Sequence, residues 1–323
     1  MRCGFWRGMV VSVVLLGCAS WTAAQGFPNK PLRIVVPFGA GGVADLTART
    51  VAQKMGEGLG QAVVIENRPG AGGIVAAETV AKADPDGHTM LLISNANAVS
   101  VSLFQTLPID QVKDFTPVTL LGLFDLAIVT SEQSRFQTLS QVLEYARSNP
   151  GKLNIGSINI GSTQHLTAEL FKSVANLDAQ VVPFNGTPAV VTALRGGQID
   201  VAVEVLSPVL PQIKGGVLRP LAVMGAKRSA VLPQVPTAKE SGLSQLVSSS
   251  WNGLAVPAKT PKEVVDRLHR EATHALQDPA VIKRLQEMNI EPHPSTPAQA
   301  KEWLQVEIKR WADVIQRAGI AKQ

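Results

Sequence analysis

Cysteine is almost missing from this chain of 323 residues, which holds only Cys3 and Cys18, both close to its start. The rest therefore has no disulfide, no thiol nucleophile and no thiolate metal site. Aromatic residues make up 5%, with a single tyrosine, and charged residues only 17%. Lys and Arg are scattered, with no run and no aromatic interleaving, and the net charge is a mild +5, so nothing here prepares a nucleic-acid-binding face. Neither G-x-S-x-G nor H-E-x-x-H occurs, and His269 and His274, five apart, do not share a helical face for a metal. With 45% hydrophobic residues the chain is globular, and its stability has to come from burial in a length sufficient for two domains.

Apolar runs are short as well. Gly8 to Leu16 falls well below the about 20 residues of a membrane span, but it follows the basic Arg2 and Arg7 and precedes the small residues Ala23 and Ala24. That order reads as a secretory signal peptide over residues 1–24, with an exported mature chain expected to start at Gln25. A second reading stays open, since Leu15-Leu16-Gly17-Cys18 resembles a lipobox and would anchor the protein through a lipid on Cys18.

Glycine is where the chain is rich. The apolar strand Leu32 to Pro37 runs into Phe38-Gly39-Ala40-Gly41-Gly42-Val43-Ala44-Asp45, and the next helix repeats apolar residues at Ala48, Val51, Ala52, Met55 and Leu59. A strand, a glycine turn and a helix start form an anion cradle, because the free N–H groups and dipole of the helix favour negative charge. Gly39, Gly41 and Ala44 also satisfy G-x-G-x-x-G/A, and Glu66 ends the following strand, which would suit a dinucleotide. Export argues against that reading, since an exported protein meets little nicotinamide cofactor.

Strands alternate with helices along the rest, which predicts an α/β fold with largely parallel sheets. Strand Thr89 to Ile93 ends in the polar tip Ser94-Asn95-Ala96-Asn97, where open α/β sheets place ligands. Strands are expected at Pro117 to Leu123 and Asp125 to Thr130, and Thr138 with Gln141 fits a capping box. A second series then repeats the cradle: Leu153 to Gly156 meets Ser157-Ile158-Asn159-Ile160-Gly161-Ser162-Thr163, and Val181 to Phe184 meets Asn185-Gly186-Thr187-Pro188. Further strands are Ile199 to Val205 and Leu221 to Val223, and helix starts are signalled at Thr260-Pro261-Lys262-Glu263 and Thr296-Pro297-Ala298-Gln299. The stripe Ala300, Leu304, Ile308, Trp311 and Ile315 reads as core packing over the first lobe.

Several stretches resemble the Bug family of solute receptors for tripartite tricarboxylate transporters. They are Pro28-Asn29-Lys30-Pro31-Leu32-Arg33-Ile34-Val35-Val36-Pro37-Phe38, the turn with Gly41, Gly42, Asp45, Ala48 and Arg49, and Glu66-Asn67-Arg68-Pro69-Gly70-Ala71-Gly72-Gly73. Asp86-Gly87-His88-Thr89, Gly161-Ser162-Thr163-Gln164-His165-Leu166, Gly196-Gly197-Gln198-Ile199-Asp200, Leu232-Pro233-Gln234-Val235-Pro236-Thr237 and Trp251-Asn252-Gly253-Leu254 follow in the same order.

The resemblance implies a two-lobed periplasmic binding protein of type II-like fold with a ligand cleft between the lobes. Lobe 1 would span 25–125 and 250–323, and lobe 2 would span 126–249. It also implies a monomeric receptor, not an enzyme, that uses no cofactor and no metal. Such a receptor clamps a small carboxylate and passes it to the membrane subunits of a tripartite tricarboxylate transporter. By the resemblance the ligand is held by Gly39, Ala40, Gly41, Gly42 and Asp45 in lobe 1, and by Ser157, Gly161, Ser162 and Thr163 in lobe 2. The loop positions of Asn95 and Thr187 add two polar candidates. Asp45 is equally readable as a cap of its helix, and Glu204 as a hinge-side salt bridge or as a partner for a ligand amino group. Ile158 and Ile160 are bulkier than the family's residues in that loop, and Val203 stands where an aromatic is common. An exported enzyme acting on a small carboxylate, or a ligand sensor for a signalling partner, are the alternatives.

Overall fold

A computed structural model describes residues 26–317 and 319–323. The signal peptide, its cleavage point, Cys3 and Cys18 lie outside the described residues.

Leu32–Val36 forms β1, a β-branched run with only Arg33 not fully buried, as befits a strand covered on both faces. The chain continues through α1 (Val43–Leu59), β2 (Val63–Asn67), a 3-10 turn at Ala71–Gly73 leading into α2 (Ile74–Ala81), β3 (Thr89–Ser94), α3 (Asn95–Leu103) and β4 (Phe115–Ser131). Next come α4 (Leu139–Ser148), β5 (Leu153–Ile158), α5 (Thr163–Ala175), β6 (Ala179–Phe184), α6 (Thr187–Arg195), β7 (Val201–Val205), α7 (Leu206–Lys214) and β8 (Leu218–Val223). The chain closes with β9 (Ser249–Pro257), α8 (Lys262–Gln277), α9 (Pro279–Glu287), β10 (Ile290–Pro292) and α10 (Pro297–Arg317). Among the described residues no helix is long and apolar enough to cross a membrane.

The strands follow the order β2-β1-β3-β9-β4-β7-β5-β6, with β8 and β10 also on β4. Pairs β1–β2, β1–β3, β5–β6 and β5–β7 are parallel, while β3–β9, β4–β9, β4–β7, β4–β8 and β4–β10 are antiparallel, so the sheet is mixed rather than largely parallel as the sequence predicts. Strand β4 joins the two halves. Its residues up to Asp125 pair with β9, and from Leu126 onward it pairs with β7 and β8. The sequence suggests two strands here, Pro117 to Leu123 and Asp125 to Thr130, but one 17-residue strand runs through both, with bulges at Pro117/Thr119 and Leu120/Gly122.

Helices cover both faces of each half. One core runs from Ile34, Val51 and Met55 through Leu126 to Val142 and Phe171. A second packs Val35, Leu91 and Trp251 under α10 through Leu304, Trp311 and Ile315, which places that stripe on the first lobe. A third buries Val129, Ile158, Val190 and Leu210 in the second lobe.

Helix starts depart from the sequence signals in three places. The first is α4, where Thr138 Oγ1 accepts from the Gln141 N–H at 3.3 Å but the Gln141 side chain accepts from the Gln137 N–H, so the capping box is half formed. Thr296 and Gln299 exchange side-chain and backbone hydrogen bonds as a capping box, at 3.2 and 2.9 Å. Pro261, not Thr260, precedes α8, and its start has no side-chain cap. Ser94-Asn95-Ala96-Asn97 is not a loop but the start of α3: the Ser94 N–H donates to Asn97 Oδ1 at 2.9 Å, and Ser94 Oγ accepts from the Ala96 N–H at 3.2 Å.

Candidate functional site

The carboxyl ends of β1, β3 and β5, the turn after β6 and the two crossing strands β4 and β9 converge on one crevice with about 440 Å³ of empty space, part of it open to solvent. Lobe 1 contributes Phe38, Gly39, Gly42, Val43, Ala44 and Ser94. From lobe 2 come Ile158, Thr163, Gln164, Gly186 and Thr187, and the floor is Phe124, Ser250 and Asn252. Among the described residues no charged side chain lines it.

Four helices begin at this crevice, and their caps divide them into two kinds. α3 is capped by Ser94 and Asn97, and α5 by Ser162, whose Oγ accepts from the His165 N–H at 3.1 Å while donating to the Ile158 carbonyl at 3.0 Å. α1 and α6 follow Gly42 and Gly186 and have no side-chain cap. The first-turn N–H groups of α1 and the Thr187 N–H of α6 stay open for an acceptor supplied from outside the chain, while Pro188 has no N–H and the Ala189 N–H donates to the Gly186 carbonyl at 3.1 Å. α1 belongs to one lobe and α6 to the other, so the crevice lies between two uncapped helix starts.

The lobes meet at glycines. A Cβ on Gly39 would lie 3.0 Å from the Asn185 carbonyl oxygen, and one on Gly161 would lie 3.3 Å from the Gly72 Cα. Ser250 links the lobes inside the crevice, since its Oγ is 2.8 Å from Thr163 Oγ1 and 3.4 Å from Asn95 Nδ2. Asn252 is tied to α1, donating to Thr47 Oγ1 at 3.3 Å.

Of the residues singled out in the sequence, Gly39, Gly42, Thr163 and Thr187 line the crevice. Gly41 does not line it: it turns the chain at φ +79° and donates its N–H to Asp45 Oδ2 at 3.0 Å. Ala40 sits exposed in the same turn, Ser157 and Ser162 are buried behind the second loop, and Gly161 is at the lip against Gly72. Asn95 stands behind Ser250, and Glu204 behind Thr187, whose Oγ1 is within hydrogen-bond distance of Glu204 Oε2 at 3.1 Å. Phe38, Val43, Ala44, Ser94, Phe124, Ile158, Gln164, Gly186, Ser250 and Asn252 are lining residues that the sequence reading did not pick out as ligand contacts.

Asp45 occupies the first turn of α1 and reaches back to the glycine turn. Both its oxygens lie 2.9 Å from Arg49, one in a hydrogen bond and one in an ion pair. Burial alone would raise this carboxyl, but the bonds from Arg49, Gly41 and Asn67 outweigh it and hold the group below the usual carboxylate range. A group depressed in the folded state contributes stability above its unfolded pKa and loses it as pH falls through the folded one. Asp45→Asn should therefore cost about 1–2 kcal/mol at pH 7, the lower part of the range for bonds to a charge because Arg49 is half exposed, and the gap to wild type should close below about pH 4. Urea unfolding of both proteins between pH 3 and 7 checks this. A gap that ignores pH would show that the charge is not what holds the turn.

His165, in the first turn of α5, is buried, and burial lowers its pKa. Among the described residues no group of three or more His, Cys, Asp or Glu is placed to hold a metal.

A family model described as a tripartite tricarboxylate transporter family receptor matches residues 47–320, beginning just after the first glycine turn. The protein BugT of Bordetella pertussis is 32% identical over 311 residues, covering 96% of this chain and 95% of that one. Among solved structures, Rpa4515 of R. palustris with adipate superposes with a TM-score of 0.89 at 32% identity, covering 92% of this chain and 100% of that one. MatC of Rhodopseudomonas palustris with bound malate gives 0.85 at 34% identity, over 90% and 100%.

Proposed function

Since this chain belongs to the receptor family of tripartite tricarboxylate transporters, a family of periplasmic solute-binding proteins, we propose that its crevice captures a small carboxylate and that the protein delivers it to the membrane subunits of such a transporter. The observation that carries this reading is the pair of uncapped helix starts, α1 and α6, facing one crevice from opposite lobes. Each helix end offers up to about 2 kcal/mol to an anion when partly buried, and each hydrogen bond to a charge a net of about 1.5–3 kcal/mol. Several such donors hold a carboxylate without a cation, which suits a lining free of Arg and Lys.

We take residues 25–125 and 250–323 as lobe 1 and 126–249 as lobe 2, with the ligand drawing them together. Thr163, Ser250 and Thr187 are hydroxyls placed to turn toward it. The absence of charge in the lining favours mono- and dicarboxylates over more highly charged acids, and malate and adipate, bound by two relatives, are the first candidates.

Native mass spectrometry of protein purified without refolding, followed by calorimetry with malate and adipate, tests the reading. Binding of one molecule per chain, with the acid recovered unchanged, is the expected result. Turnover would make the protein an exported enzyme instead. No heat with these or other small carboxylates would remove the ligand class.

A further inference from the structure

Glu204 lies on β7 with no exposed surface. Strands β4 and β5 and helices α5, α6 and α7 pack against β7. The titratable and charged groups on them are Asp125 on β4, His165, Glu169 and Lys172 on α5, Arg195 on α6 and Lys214 on α7. None of these acts on the Glu204 carboxyl. Besides burial, its influences are the Thr187 hydroxyl, the Gln164 side chain and the Val205 N–H. Its Oε2 is 3.1 Å from Thr187 Oγ1, and its Oε1 has no hydrogen bond of good geometry. Thr187 and Gln164 both line the crevice. A carboxyl buried without a cation keeps its proton, and burial here pushes Glu204 up to about 8.

A hydroxyl has one proton to give. We propose that Glu204 is a positioning residue whose carboxyl proton decides what the Thr187 hydroxyl offers the crevice: a donor while Glu204 is protonated, an acceptor once it is ionised. This rests on the crevice being a carboxylate site. In the protonated form Glu204 donates to Thr187 Oγ1, and the Thr187 proton is free to turn to a ligand oxygen. In the ionised form Glu204 takes that proton, leaving lone pairs and a buried negative charge facing an anionic ligand. The ligand-competent protein is therefore the one that carries the extra proton. His165, the nearest titratable group on α5, is lowered by burial and does not change charge above neutral pH.

Malate and adipate are the probes, since both stay fully ionised from pH 6.5 to 9. At pH 9 about one-tenth of Glu204 would keep its proton, so calorimetry should find wild type about tenfold weaker there than at pH 6.5. Glu204→Gln presents a permanent amide donor to Thr187 and should keep the pH 6.5 affinity at pH 9. Thr187→Val should bind more weakly at pH 6.5 and show a smaller pH dependence, since only the Glu204 charge is then left to act. Flat binding in wild type, or the same slope in Glu204→Gln, overturns the proposal. Carboxyl ¹³C NMR supplies a reading that needs no ligand, with the Glu204 resonance assigned by its loss in Glu204→Gln. A midpoint near 8 supports the proposal, and one in the ordinary carboxylate range overturns it while leaving the carboxylate site intact. Absence of binding at every pH overturns the site and the proposal together.

Discussion

Valine in place of Gly39 is expected to weaken carboxylate binding about 10- to 100-fold while barely changing stability without ligand. Gly39 has an ordinary φ, so a side chain does not strain its backbone. What the side chain meets is the other lobe: its first carbon would stand 3.0 Å from the Asn185 carbonyl oxygen, closer than an ordinary contact. A backbone oxygen cannot swing aside, so the lobes have to part. Overpacking of this kind costs about 1–3 kcal/mol, and each 1.4 kcal/mol is tenfold in affinity. Under the closure proposed above, the penalty falls on the form in which the lobes are drawn together. Calorimetry with malate and adipate, paired with thermal unfolding in buffer, separates the two effects. Unchanged affinity would mean that the lobes do not need this contact to hold a ligand.

Trp251→Ala should be the most damaging of these substitutions for the fold, at about 3–5 kcal/mol. The indole is 1% exposed on β9, opposite Leu123 of β4 in the ladder, and packs in the core beneath α10. Alternation along the strand sends Trp251 to that core and its neighbours Ser250 and Asn252 to the floor of the crevice. The tryptophan thus sets which way those two polar side chains face, and binding should weaken along with stability. Guanidinium unfolding, with the midpoint shift converted through the slope, measures the loss. A value under 1 kcal/mol would show that the indole does not seat the strand.

The glycine turn after β1 was legible because glycine, a preceding β-branched strand and a following apolar stripe are all local signals. Ser94 to Asn97 was misread as a loop for an equally local reason: serine and asparagine are favoured both in turns and at helix starts, and only the hydrogen bonds between Ser94 and Asn97 distinguish the two. Gly41 and Asp45 drew notice as ligand groups, but they bind each other, which spacing alone does not reveal. Phe124, Ser250 and Asn252 carry no motif of their own as ligand contacts. They reach the crevice because β4 and β9 lie side by side in its floor, a pairing between distant parts of the chain. The environment of Glu204 is likewise a product of packing, since the residue looks like any other strand glutamate until β4, α5 and α6 close around it.

The position of β9 has a consequence in time. It separates β3 from β4, and it comes from the last third of the chain. As the polypeptide is made or emerges from a membrane, β5, β6, β7 and β8 can assemble on the far half of β4 while β3 still lacks its neighbour. Non-local pairings of this kind are slow to form. The second lobe can therefore acquire its sheet before the first, and the floor of the crevice, made of Ser250 and Asn252, is among the last parts of the molecule to appear.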